Sequence, residues 1–211
     1  VGSSFTWYII QNTAAHMPFT VSGVWKKKHY SGSVNSMKRK YIPLIYDSTV
    51  LSILSKTVDN DSLPKFAVKT SSDLHKYTKA HLISDTQDDD HPFRLIHTPS
   101  QTVYASRPHK YQDGYKVFIS TTDKYLVFVD NCGMTQSIVF ILCENALEAQ
   151  KYANILKHPL YQFINNICRW GNFNNIRILQ SLPIPGDYLQ NPPQLDIYDI
   201  FGITADEVAF I

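Results

Sequence analysis

The chain of 211 residues is 44% hydrophobic and 13% aromatic, so it can bury a core and is too apolar to be disordered. No apolar run approaches the roughly 18 residues of a membrane span, the N-terminus lacks a charged signal-peptide start, and three scattered cysteines form no disulfide or zinc framework. We therefore expect one or two domains of a cytoplasmic protein, prokaryotic or from a virus in its host cell, with buried thiols.

The net charge of +2 conceals an uneven distribution. Residues 1–46 contain no acidic residue, whereas the chain beyond Arg177 contains five acids and no Lys or Arg. A basic front and an acidic tail indicate that one part contacts a polyanion, with a solvated basic loop as the alternative. The basic residues predicted to contact DNA phosphates are Lys26, Lys27, Lys28, Lys38, Arg39 and Lys40.

The N-terminal elements are predicted as a β-hairpin, a loop and a short helix. The runs 5–11 and 19–25 are rich in aromatic and β-branched residues, which is typical of strands. The basic segment 25–40 has no apolar period and is predicted as an exposed loop. Asp47 and Ser48 are suited to capping a short helix after it.

The middle of the chain changes to short strands and then to helix. Residues 115–120 and 125–130 flank a four-residue turn and predict a hairpin. The helical spacing of apolar residues over 145–168 follows, with Pro159 either opening a second helix or kinking a single one. The strand-length runs are 93–97, 102–106, 115–120, 125–130 and 136–142.

The C-terminal part is predicted as a short strand at 176–179, an extended LPIP segment, a short helix ended by Gly202, and a last turn capped by Thr204 and Glu207. Together these elements predict an α+β fold with a mixed or antiparallel sheet flanked by helices. We divide the chain into a hairpin at 1–25, a basic loop and helical connector at 26–92, and a main domain at 93–211.

A polar segment, RWGNFNNIR at 169–177, interrupts the apolar helical pattern. Arginine and asparagine can read base edges with paired hydrogen bonds, and Gly171 would permit close backbone approach. The alternative is a helix C-terminus satisfied by Asn and Gly. The predicted base or groove contacts are Arg107, Lys110, Arg169, Asn172 and Asn174.

No catalytic residue and no metal site is predicted in this chain. The acids at 88–90, with His91, are adjacent and point in different directions, which favours a solvated loop over a metal site. The pair of Asp113 and Lys116 imitates part of a nuclease motif but lacks a second acid nearby.

Several motifs occur in order along residues 93–211. They are Gly133, Thr135 and Gln136 in a turn after strands, a Gly171 to Asn174 junction, the Leu182 to Pro185 segment, and a closing pattern of Ile197, Tyr198, Phe201, Gly202, Thr204 and Glu207. In this order they resemble the C-terminal target-recognition region of Eco57I-like DNA adenine-N6 methyltransferases and type II restriction-modification enzymes.

The resemblance implies sequence-specific binding of double-stranded DNA beside a catalytic methyltransferase domain, in the same chain or a partner. The catalytic NPPY-type motif is missing, since Asn191-Pro192-Pro193 is followed by Gln194. We therefore expect a piece of a longer enzyme, with S-adenosylmethionine in the missing catalytic part and no cofactor here. Phe5 or Trp7 is implied, weakly, to stack on a flipped base, with hairpin packing as the alternative.

Two other functions remain open from the sequence. The chain could be a protein-interaction module that docks a methyltransferase or nuclease subunit, with an incidental basic loop. It could also be a small metal-dependent nuclease that uses Asp113 or the acids at 88–90.

Overall fold

The structure, a computed structural model, describes residues 18–34, 39–122, 124–171, 173–186 and 195–211. Within these ranges the chain is an α+β protein with one small and two larger β-sheets and several helices, which confirms the predicted fold class. The strands are β1 Phe19–Trp25, β2 Lys28–Val34, β3 Ile83–Ser84, β4 Phe93–Thr98, β5 Gln101–Ala105, β6 Lys116–Ser120, β7 Val127–Asp130, β8 Gly133–Met134 and β9 Ile138–Leu142. The helices are α1 Ser48–Lys56, α2 Ala146–Leu156, α3 Pro159–Cys168, α4 Ile176–Gln180, α5 Ile197–Ile200 and α6 Ala205–Phe210, with a 3-10 turn at Ala80–Leu82.

The two larger sheets form the centre of the protein. One is antiparallel in the order β7-β6-β9, and every residue of its middle strand β6 is buried. The predicted hairpin of 115–120 with 125–130 is confirmed, because Val117 pairs with Val129 and Phe118 with Phe128. The other sheet has the order β3-β5-β4-β8 and is mixed, because β4 runs parallel to β8.

Helices α2 and α3 cover the first sheet and complete the main core. The Asn145 side chain caps α2 by accepting a 2.9 Å hydrogen bond from the Glu148 backbone. Pro159 occupies the first turn of α3, where a missing N–H costs nothing, so it opens a second helix and does not kink a single one. Leu160, Phe163 and Ile164 of α3 are buried in this core.

In the described part of the basic segment, residues 25–34 and 39–40, a strand replaces most of the loop predicted for 25–40. Lys28–Val34 is strand β2, and it pairs with β1 in register from Phe19↔Val34 to Trp25↔Lys28. The two strands form a separate two-stranded sheet. The predicted partner of β1, residues 5–11, lies outside the described residues.

Two glycines dock this hairpin on the following segment of chain. A Cβ at Gly23 would clash with the Leu44 carbonyl oxygen, and one at Gly32 with the Tyr46 carbonyl oxygen. Farther along the hairpin, the Trp25 ring meets the Phe163 ring edge-on at 5.6 Å. Backbone contact at the glycines and aromatic packing at Trp25 therefore hold the same face of the hairpin.

The C-terminal elements differ from prediction in one place. Residues 176–179, predicted as a strand, begin helix α4, because Asn175 caps its start and Ile178 and Leu179 are buried. Gly202 has a φ of +62° and follows α5, as predicted. Thr204 and Glu207 form the predicted capping box at α6.

Three cysteines are free and buried, as predicted. Burial raises the thiol pKa of Cys132 and Cys168 to about 12 and that of Cys143 to about 11, so none is a ready nucleophile. Among the described residues, no helix has the length and apolar character required to cross a bilayer.

Candidate nucleic-acid interface

The turn between β1 and β2 presents three consecutive lysines to solvent. Lys26 and Lys27 are its two central residues, with φ values of 46° and 68°, as in the type I′ turn. Glycine and asparagine are favoured at such positions, and a lysine there costs on the order of 1 kcal/mol. Lys28 begins β2, with its Nζ 5.4 Å from the centre of the Tyr30 ring. All three are exposed, and none forms an ion pair with another described residue.

The hairpin that carries this lysine turn and the Arg/Asn segment both contact residues 42–46. Gly32 contacts Tyr46, and Gly23 contacts Leu44. Two residues before Leu44, the Ile42 carbonyl accepts a 2.6 Å hydrogen bond from Trp170 Nε1. The hairpin and the Arg169–Trp170 corner, which are about 140 residues apart in sequence, therefore pack against the same stretch of chain.

Asn174 is a structural residue, which corrects its assignment as a base contact. It is 2% exposed, and its Oδ1 accepts from Asn165 Nδ2 at 2.8 Å and from Arg169 Nη1 at 2.9 Å. Its Nδ2 donates to the carbonyl oxygens of Ser120 at 2.8 Å and Lys124 at 3.3 Å. The amide is therefore fully used inside the protein and ties α3 to the β6–β7 turn.

Exposed aromatic rings surround this buried amide. Trp170 is 49% exposed and Phe173 is 63% exposed, although large aromatic side chains usually lie inside a protein. The half-buried Arg169 precedes Trp170 and has one guanidinium nitrogen on Asn174. Asn172, the remaining predicted contact of this segment, lies outside the described residues.

The other predicted DNA contacts are held by acidic partners. Arg39 Nη1 lies 2.8 Å from Asp59 Oδ2, and Lys40 is paired with Asp61. These two cations are neutralised within the connector. Lys38, Phe5 and Trp7, which the sequence also singled out, lie outside the described residues.

A second group of predicted contacts, Arg107 and Lys110, lies around Asp73. Arg107 bonds both carboxylate oxygens of Asp73, at 2.9 and 3.3 Å, and the Lys110 backbone N–H donates to the same carboxylate at 2.8 Å. These contacts lower the pKa of Asp73 to about 2, first through the Arg107 hydrogen bond. The Lys110 ammonium lies 5.1 Å from the centre of the Tyr111 ring. Arg107 thus has a structural partner, and Lys110 keeps a surface ammonium.

A serine–histidine pair lies next to this group but does not form a nucleophile–base pair. Ser71 Oγ is 2.8 Å from His109 Nε2, and the Tyr111 backbone N–H donates to His109 Nδ1 at 3.0 Å. Since Nδ1 accepts, the neutral ring carries its proton on Nε2 and donates to the serine. Burial lowers the pKa of His109 to about 4, so the neutral form dominates at pH 7.

The residues of the nuclease alternative serve structural contacts. Lys116 is fully buried, and its Nζ donates to the carbonyl oxygens of Gly114 at 2.7 Å and Asp113 at 2.8 Å. Asp88 Oδ1 accepts from both the backbone and the ring of His91 within one loop. Over the described part of the chain, no group of three or more His, Cys, Asp or Glu side chains is placed to hold a metal ion.

Sequence reasoning missed two exposed residues of this region, Lys124 and Phe173. Phe173 forms a β-bridge with Thr122, in the same turn as Lys124. The one signal in the sequence was that two aromatic residues lie among asparagines. Because their neighbours are polar, their rings are expected to be exposed. Nothing in the spacing indicates that residues 122–124 lie beside residue 173.

Comparison of this chain with protein-family models, with curated proteins and with solved structures found no match.

Proposed function

We propose that this protein binds double-stranded DNA through the lysine turn and the adjoining Arg169–Trp170 corner. The observation that carries the proposal is the presence of Lys26 and Lys27 at two positive-φ positions, where Asn-Gly would be more stable. Strain of this kind persists where a function requires the side chain. Three adjacent ammonium groups on a projecting turn suit phosphate contacts, which release counterions.

The position of the Arg169–Trp170 corner supports the same proposal. It adds a guanidinium and an exposed indole beside residues 42–46, the stretch of chain on which the hairpin of the lysine turn docks. The Trp170 ring is fixed by its hydrogen bond to Ile42, so it presents a rigid edge. Arginine and aromatic side chains are common contacts to DNA phosphates and bases.

The double variant Lys26→Asn/Lys27→Gly tests this proposal because stability and binding should change in opposite directions. Relief of the strained turn should raise the free energy of unfolding by about 1 kcal/mol. Loss of two phosphate contacts should weaken duplex binding and reduce the log–log salt slope by about 2. Urea unfolding and fluorescence anisotropy at several salt concentrations measure the two effects.

The matched control is Arg39→Gln/Lys40→Gln, which removes two cations that already have acidic partners. We expect its duplex affinity and salt slope to stay close to those of the parent protein. If both double variants weaken binding equally, net charge alone drives association, and the assignment to the lysine turn is wrong.

The resemblance to target-recognition regions extends the proposal to sequence reading for an adenine-N6 methyltransferase or a restriction-modification enzyme. In this extension the catalytic domain is the protein partner and supplies the S-adenosylmethionine site. Arg169 is then the first candidate for base contact, and its change to Ala should relax preference at one position by about 1–3 kcal/mol. Selection from randomised duplexes measures this. If the protein binds all sequences equally, it contacts the DNA backbone but does not recognise a sequence, and this extension of the proposal is wrong.

A further inference from the structure

A cleft opens between the β4–β5 turn and the β6–β7 turn. Its volume is about 510 Å³, within the roughly 300–1,000 Å³ typical of small-ligand sites. The lining offers several hydroxyl groups, one ammonium group and the half-exposed side chain of Leu126, and no carboxylate comes from the described lining residues. The lining residues are Thr98, Pro99, Ser100, Ser120, Thr122, Lys124 and Leu126.

One wall of this cleft is held by the buried amide of Asn174. Its side chain donates to the Ser120 and Lys124 carbonyls, and its backbone N–H donates to the Thr121 carbonyl at 2.9 Å. Ser120 Oγ also donates to the Thr122 carbonyl at 2.9 Å. Asn174 thus holds the carbonyl groups of Ser120, Thr121 and Lys124, and Lys124 has an exposed side chain.

Phe173 is bridged to the lining of this cleft. Its backbone forms a β-bridge with Thr122, one of the lining residues, while its side chain is 63% exposed. An exposed aromatic ring, an ammonium and several hydroxyls are the groups that proteins use to bind one nucleotide of a single strand: the base stacks, and the phosphate meets the lysine. In a continuous duplex each base is already stacked and paired, so Phe173 has no base face to contact.

We propose that this cleft binds an unpaired nucleotide, with its base on Phe173 and its phosphate at Lys124. The preferred ligand is then DNA in which a duplex adjoins a short single-stranded stretch. The inference rests on the proposed function only for the duplex part of that ligand, which the lysine turn contacts.

The test compares a continuous duplex with the same duplex carrying a three-nucleotide single-stranded gap. We expect the intact protein to bind the gapped DNA about tenfold more tightly, the effect of one stacked base. Phe173→Ala should remove this preference and leave the affinity for the continuous duplex unchanged. Lys124→Gln should weaken binding of the gapped DNA alone and lower its salt slope by about 1.

Tyr115→Ala is the matched control. Tyr115 is also a surface aromatic, 44% exposed, but it precedes β6 at the end opposite the cleft. Its removal should leave both affinities unchanged. Since the rings of Phe173 and Tyr115 are largely exposed, thermal melting should show both variants to be folded.

Equal affinity of the intact protein for the two DNAs would overturn the inference, and so would an equal loss of both affinities in Phe173→Ala. A different result addresses the proposed function. If the continuous duplex is not bound but a single-stranded oligonucleotide is bound through Phe173, the duplex proposal fails and the nucleotide site is supported.

Discussion

Two groups of cations that look alike in the sequence have opposite surroundings in the fold. Arg39, Lys40 and Arg107 each contact a carboxylate that lies 20 to 34 residues away in the chain. Lys26 and Lys27 occupy a strained turn and form no ion pair with another described residue. The comparison teaches that charge clustering alone does not identify a binding surface, because partners distant in sequence decide which charges remain available.

Lys116 is a fully buried cation whose ammonium bonds backbone carbonyls and no carboxylate, and its loss should have the largest effect. Lys116→Met keeps the apolar stem but removes the ammonium that bonds the Asp113 and Gly114 carbonyls. Two short charge-assisted hydrogen bonds account for a loss of about 4 kcal/mol in the free energy of unfolding. Urea unfolding measures it. A loss below about 1 kcal/mol would show that burial of a cation does not mark a structural role here.

His109 predicts a pH dependence of stability. Its pKa in the folded protein is about 4, below its ordinary value of 6.5, so the unfolded chain binds more protons between these values. Stability is complete above about pH 6.5 and falls by roughly 3 kcal/mol as the pH drops to 4. Urea unfolding at several pH values tests this.

His109→Asn keeps an acceptor near the Nδ1 position and removes the titrating group, so the profile should flatten. Burial also lowers the pKa values of His97 and His158, so a shallower slope in the same direction should remain. An unchanged profile would show that groups other than His109 cause the pH dependence of stability. The lysine-turn double variant should keep the parent profile, because it leaves His109 and its contacts unchanged.

Asn174→Ala separates the structural amide from the exposed residues around it. Loss of its bonds to Asn165, Ser120 and Lys124 should lower the free energy of unfolding by about 2 kcal/mol. Because the cleft wall is then released, the preference for gapped DNA should weaken. Asn174 also accepts a hydrogen bond from Arg169 Nη1, so the affinity for the continuous duplex should fall no further than it does in Arg169→Ala. Asn154→Ala, on the exposed side of α2, is the control and should change none of these quantities. A larger loss of duplex affinity than in Arg169→Ala would return Asn174 to the contact surface.

Arg107→Gln should have the smallest effect. Its ion pair with Asp73 is partly exposed at the surface, where such pairs contribute about 1 kcal/mol or less. The Asp73 pKa should rise from about 2 toward its ordinary value, which an NMR titration measures. Duplex affinity should not change. A decrease as large as that of the lysine-turn variant would abolish the distinction between the two groups of cations.

The sequence predicts much of the main domain, because its elements have clear apolar periods and caps. The hairpin of β6 and β7, the capped helices α1 and α2, and the Pro159 helix start all follow local rules. Local rules fail for β2 and α4. The one glycine of β2 faces backbone and its serines face solvent, so the strand has no apolar period. Helix α4 has two β-branched isoleucines among its five residues, and its cap and burial outweigh their strand propensity.

The candidate site is harder to predict than the fold. Residue type identifies Arg169 and the lysines of the turn as DNA contacts, and both stay predictions. The roles of Asn174, Phe173 and Lys124 depend on contacts across about 50 residues of chain, such as the bond from Asn174 to the Lys124 carbonyl. These residues are distant in sequence and come together only in the folded chain, so no local sequence pattern predicts that they are neighbours.

The hydrogen-only side chains of Gly23 and Gly32 have a consequence for the kinetics and entropy of association. Because the two backbones are in direct contact, the hairpin that carries the lysines is held rigidly. Its turn therefore loses little conformational entropy when a ligand binds. Replacing either glycine by alanine would push the hairpin away from residues 44–46 and would leave every charge in place. Affinity would then decline with no cation removed.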